Sequence, residues 1–114
     1  MALLALAVRD LQSKPQRPLY RSNVRYLREG PGRDAWQLPS MTAANGAGDC
    51  EDLSAWRAAE LRLAGIPATI AFLPIGQRGN WHAVVRWPDG RFEDPSAMLG
   101  MRHSRRQVIR GQYF

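Results

Sequence analysis

One cysteine, Cys50, and one lysine, Lys14, are all that this 114-residue chain has of either type. A single thiol excludes an internal disulfide and a Cys-rich zinc site. The length suffices for one domain with a real core, so no staple is needed and a reducing compartment is expected. Acids are scarce, ten against sixteen basic residues, for a net charge of +6. Such an excess suits nucleic acid, an acidic partner or solubility alone. Because every basic residue but Lys14 is Arg, it also fits a GC-rich genome, and nucleic acid is not the expected partner. Long hydrophobic runs are missing. Ala2 to Val8 is apolar but far short of the roughly 20 residues a bilayer requires. It lacks the basic lead and cleavage site of a signal peptide, so a cytoplasmic protein with no membrane role is expected. Repeats and low-complexity tracts are absent.

The remaining pattern is that of helices followed by short strands. Residues 2–13 read as a helix ending before Lys14-Pro15. Residues 14–35 are punctuated by Pro15, Pro18, Gly30, Pro31 and Gly32 and read as an extended arm, with Val24 and Tyr26 marking at most one strand. A short helix is expected from Ser40 to Asn45, stopped by Asn45-Gly46. The main helix runs from Asp49 to Ala64, with Leu53, Trp56, Ala59 or Glu60, and Leu63 at helical spacing. Gly65 and Pro67 end it. Ala68–Leu73, Trp81–Trp87 and Arg91–Asp94 read as strands, with a loop at 74–80, a turn at Pro88-Asp89-Gly90 and a closing turn at Pro95–Gly100. Val108 and Ile109 suggest a last strand in an Arg-rich tail. The expected division is an N-terminal helix and arm at 1–35, a core at 36–101, and a basic tail at 102–114 that packs on or extends the core.

Cys50 lies where chemistry is favoured. Asp49 can N-cap the main helix, and Asp52 stands three residues on, in the position of a capping box. Cys50 is then the first helical residue, facing unpaired N–H groups and the positive end of the helix dipole. Both favour the thiolate, the reactive form. A three-residue loop at 88–90 would pair Trp87 with Arg91 and put His82 and Asp94 on one side of the sheet as diagonal neighbours. A two-residue loop would put them on opposite sides. Pro88 cannot donate to a ladder, which favours the longer loop. Asp94 can then orient His82, and His82 can reach Cys50 if the helix packs on that face: orienter, base and nucleophile. The bland alternatives are a buried cysteine serving as a small hydrophobe, a structural strand histidine and an aspartate that merely starts a turn. The other histidine, His103, has no partner in view and reads as solvated.

Four blocks carry a resemblance: Gly48-Asp49-Cys50-Glu51-Asp52-Leu53, Leu61 to Ala68, Trp81-His82-Ala83-Val84-Val85, and Glu93-Asp94-Pro95-Ser96. In this order the stretch from Trp36 to Met101 resembles the transglutaminase-like, papain-fold cysteine proteins, most of all the small bacterial and phage-encoded type. The resemblance implies an α+β fold with the Cys-bearing helix packed on a small antiparallel sheet, and a phage or prophage source in a bacterial host. It implies Cys50 as nucleophile, His82 as general base and acid, and Asp94 as orienter. Trp36 matches, loosely in spacing, an upstream residue whose side chain helps to bind the oxyanion. Three acids beside a thiol oppose its ionisation, so helix capping and an Arg such as Arg57, or else a bound cation, are expected to offset Asp49, Glu51 and Asp52. One related branch, periplasmic peptidases that cut adhesins, binds calcium at positions matching Asp49 and Glu51.

The function this implies is thiol-dependent acyl transfer on an amide of a protein or peptide substrate. Hydrolysis, as in a cysteine protease or amidase, is preferred to transglutamination because excluding water takes extra structure. No cofactor is required unless calcium binds. The alternative is a non-catalytic phage assembly or adaptor module that uses the same fold to dock a phage or host protein.

Overall fold

The computed structural model describes residues 2–28, 36–75 and 80–101, which form a small α+β domain. Helix α1, Ala2–Ser13, buries Leu4, Ala7 and Leu11, a single face repeating every three to four residues. These side chains enter the same core as the main helix, so the N-terminal segment is part of the core and not an appendage. A 3-10 turn at Leu19–Arg21 follows, then strand β1, Arg25–Tyr26. Helix α2 is Pro39–Asn45. Its own N-cap, Leu38, has no side-chain oxygen to offer, and Asp10 of α1 serves instead. The Asp10 carboxylate accepts from the Ser40 N–H at 2.7 Å and the Ser40 hydroxyl at 2.8 Å. Gly46 ends α2 with φ 75°, as the Asn-Gly pair suggested.

Strand β2, Ala47–Gly48, pairs in parallel with β1 and leads into helix α3, Cys50–Leu63. Helix α3 is buried on most of its circumference: Leu53, Ser54, Ala55, Trp56, Ala58, Ala59 and Leu61 are all covered. Alanines fill this helix because α1 and the sheet both press close to it. Leu63, expected in the core, is 45% exposed, and Leu61 takes its place.

Strands β3, Thr69–Ile75, β4, Asn80–Arg86, and β5, Phe92–Glu93, form an antiparallel sheet in the order β3-β4-β5. Pro74 was expected to open a loop but lies inside β3, opposite Trp81. An edge strand tolerates proline because half of its N–H groups need no ladder partner. Pro95–Met98, expected as part of a turn, is a single turn of helix, α4, with Pro95 at its first position and Asp94 as N-cap. The tail from residue 102, with His103 and the Val108-Ile109 strand, lies outside the described residues, as do Gly30 to Gly32. Among the described residues no helix is long and apolar enough to cross a membrane.

Candidate active site

The first turn of α3 is built before any chemistry is considered. Asp49 Oδ1 accepts the Asp52 N–H at 2.9 Å, and Asp52 Oδ2 accepts the Asp49 N–H at 3.1 Å, a reciprocal capping box. Asp52 is fully buried and takes two further donors, the Gln37 N–H at 2.9 Å and Gln37 Nε2 at 3.1 Å. Gly48 is required by space. A Cβ there would lie 2.9 Å from Thr42 Cγ2 and 3.0 Å from Asp52 Cβ. Cys50 therefore stands half-buried at the first helical position, beside N–H groups that an α-helix leaves unpaired.

Of the compensation expected for the acids near the thiol, the helix capping is present and the pairing with Arg57 is not. The Arg57 Nε donates to Glu93 Oε2 at 2.6 Å, and its guanidinium stacks over the Tyr20 ring, 5.1 Å from the centroid. Backbone and amide N–H groups donate to Asp49 and Asp52.

The hairpin puts the second and third residues of the constellation together. The Trp87 N–H donates to the Arg91 carbonyl across a three-residue loop, and Val85 pairs with Glu93. One step along, Asp94 faces the Val84 position, and His82 lies two residues from Val84 on the same side. Both are buried, and His82 Nε2 is 2.9 Å from Asp94 Oδ2. The other Asp94 oxygen accepts the Ala97 N–H at 3.3 Å, so the cap of α4 also holds the carboxylate. Burial works against a charged His82 ring. Hydrogen bonds to Asp94 and to Cys50, with the charges of both, overcome it and raise the pKa from 6.5 to about 9. At neutral pH the ring is an imidazolium. With Nε2 given to Asp94, Nδ1 is the nitrogen left to meet the thiol.

Cys50, His82 and Asp94 thus form one connected group, although they come from a helix start, a strand and a strand end. Trp36 packs its ring against the core, and its indole N–H is buried without a partner among the described residues. Calcium takes about six to eight oxygens; Asp49 holds the helix cap, and among the described residues no group of three or more His, Cys, Asp or Glu could hold an ion. Sequence reasoning missed Tyr26. The β1–β2 pairing sets it opposite Gly48, and its half-buried ring feels the charges of Cys50, Asp49 and Asp94. Two-residue strands carry no period, so no signal in the sequence marked it.

The arrangement defines a class, a small α+β domain with a thiol, an imidazolium and a carboxylate in series. No family model, curated protein or solved structure matches the chain.

Proposed function

We propose that the chain is a thiol-dependent acyl-transfer enzyme of the transglutaminase-like, papain-fold type, acting on an amide bond of a protein or peptide. The observation that carries this reading is the buried His82–Asp94 pair at 2.9 Å, with the Cys50 thiol hydrogen-bonded to the same ring. Asp94 orients the ring and keeps it charged. The Cys50 sulfur attacks the carbonyl carbon, and the carbonyl π electrons move onto oxygen. When they return, the carbon–nitrogen bond breaks, and His82 gives its proton to the leaving amine. A water then gives a proton to His82 as its oxygen attacks the thioester, and the carbon–sulfur bond breaks to release the acid and restore the thiolate beside the charged ring. An amine in place of water would give transamidation. Hydrolysis is preferred, because the thiol is half-exposed and excluding water takes extra structure.

The test is alkylation of Cys50 by iodoacetamide at neutral pH, followed by intact mass, in wild type and His82→Ala. Wild type is expected to react at least about tenfold faster, since the imidazolium stabilises the attacking thiolate. Equal rates would mean that His82 does not activate the sulfur, and the non-catalytic adaptor reading would take precedence.

A further inference from the structure

We propose that Tyr26 is the side-chain oxyanion donor of this site, its phenol O–H meeting the carbonyl oxygen of a substrate held at Cys50. The inference rests on the acyl-transfer reading above and adds a residue to it. An oxyanion beside Cys50 needs donors that reach solvent-accessible space and are not already in use. The Cys50 backbone N–H, at the first position of α3, is one. Three nearby side chains compete to be the second.

Gln37 is committed. Its Nε2 donates to the Ala47 carbonyl at 3.2 Å and to Asp52 Oδ2 at 3.1 Å, and its Oε1 accepts from Asn45 Nδ2. Both amide hydrogens are used in holding the Asp52 end of the capping box. The Trp36 N–H has no partner among the described residues, but that nitrogen is buried and its ring packs on the core. Serving an incoming carbonyl would require the indole to leave its packing. Tyr26 is different on both counts. Its ring is only half-buried, and what acts on its hydroxyl is burial and nearby charge, with no hydrogen bond among the causes. Tyr20 makes the contrast, since its hydroxyl is tied to Glu93.

The backbone around Tyr26 is pinned on two sides. The Tyr26 N–H donates to the Leu99 carbonyl at 2.9 Å, and the Leu27 N–H donates to the Gly48 carbonyl at 2.8 Å. The first bond ties the strand to the segment just after α4, which Asp94 caps. The second ties it to the residue two before Cys50. Tyr26 is thereby held between the nucleophile and the orienter, on a rigid element. Burial, reinforced by the charges of Cys50, Asp49 and Asp94, raises the phenol's pKa against the opposing effect of Arg28. The hydroxyl keeps its proton and stays a donor when the thiolate forms.

Two reactions of one thiol separate this role from any effect on the thiol itself. Iodoacetamide alkylates sulfur by displacing iodide and develops no oxyanion. p-Nitrophenyl acetate acylates it. Sulfur bonds to the carbonyl carbon, the π electrons move to oxygen, and they return as the bond to p-nitrophenolate breaks. Rates for Cys50→Ala give the background to subtract from both. In Tyr26→Phe the alkylation rate is expected to match wild type, while acylation falls by about tenfold to a hundredfold, the range of a lost oxyanion donor or somewhat less. Trp36→Phe should change neither. Acylation unchanged in Tyr26→Phe would overturn the proposal. So would a parallel fall in both rates, which would make Tyr26 a support for the thiol, and so would acylation lost in Trp36→Phe alone. Failure of the underlying reading looks different, because wild type would then alkylate no faster than His82→Ala.

Discussion

Glu93 and Asp94 are adjacent carboxylates that serve two different regions. Glu93 points into a network that joins the 3-10 turn, α3 and the sheet. It accepts from the Tyr20 hydroxyl, from Arg57 Nε at 2.6 Å and from Trp87 Nε1 at 3.2 Å. Arg57 stays charged throughout the useful pH range, so this network is static. Asp94, on the other side of the chain, accepts from one backbone N–H and from His82, whose charge can change. Extended backbone puts consecutive side chains on opposite faces, so Glu93 at the end of β5 and Asp94 just after it meet different partners. The lesson is that proximity to a carboxylate does not define a role here. What matters is whether the partner can exchange a proton.

The largest expected break in this comparison is a pair of isosteric changes. Asp94→Asn should lower the rate of Cys50 acylation by about a thousandfold or more and cost up to about 3 kcal/mol of stability with the charged pair. Glu93→Gln should cost about 2 kcal/mol of stability through weakened charge-assisted hydrogen bonds, while the acylation rate stays within a few-fold. Denaturant titration and p-nitrophenolate release read both quantities. Loss of activity in both variants would show that the two networks are one.

A second break uses pH. His82 has a pKa of about 9 in the folded chain against 6.5 when unfolded. The folded state therefore holds the proton more tightly, and the stabilisation is complete below about pH 6.5. It is lost as pH rises through about 9, and amounts at most to about 3 kcal/mol. Wild type should thus lose stability between pH 6.5 and 9.5 more than His82→Gln does, and Glu93→Gln should lose as much as wild type. Identical pH profiles for wild type and His82→Gln would remove the charged pair. The activity that depends on the imidazolium should decline over the same range.

The smallest break tests the scaffold under Cys50. Gly48→Ala forces a methyl against Thr42 and Asp52, at a cost of about 1–3 kcal/mol for overpacking. Acylation should fall along with it, because Asp52 anchors the turn that carries the thiol. The Glu93 partners Tyr20, Arg57 and Trp87 are not the residues that a methyl at Gly48 would meet, so the double variant Gly48→Ala/Glu93→Gln should be additive in stability.

The readable parts of the molecule share a property. The start of α3 follows from Asp49 and Asp52 three residues apart. The register of β4 on β5 follows from Pro88-Asp89-Gly90, and with it the meeting of His82 and Asp94. Each rests on residues close in sequence, where backbone geometry leaves few choices. The misreadings all concern distant partners. Arg57 was expected beside the acids near Cys50 and instead pairs with Glu93, 36 residues away. Leu63 kept its helical phase but had nothing to pack on. Pro74 reads in the sequence as part of the loop at 74–80, and the edge position of β3 lets the strand include it.

Sequence alone determined which segments coil and turn, where the single thiol stands on its helix, and which histidine and aspartate share a face. These follow from hydrogen bonds closed within a few residues. Tertiary structure decided what fills the space around that thiol. It brought Tyr26 beside Gly48 through a two-residue parallel pairing, committed Gln37 to Asp52, buried the Trp36 nitrogen and gave each of two neighbouring carboxylates a different partner. Contacts of that kind depend on how whole elements pack, and no local period or turn encodes them.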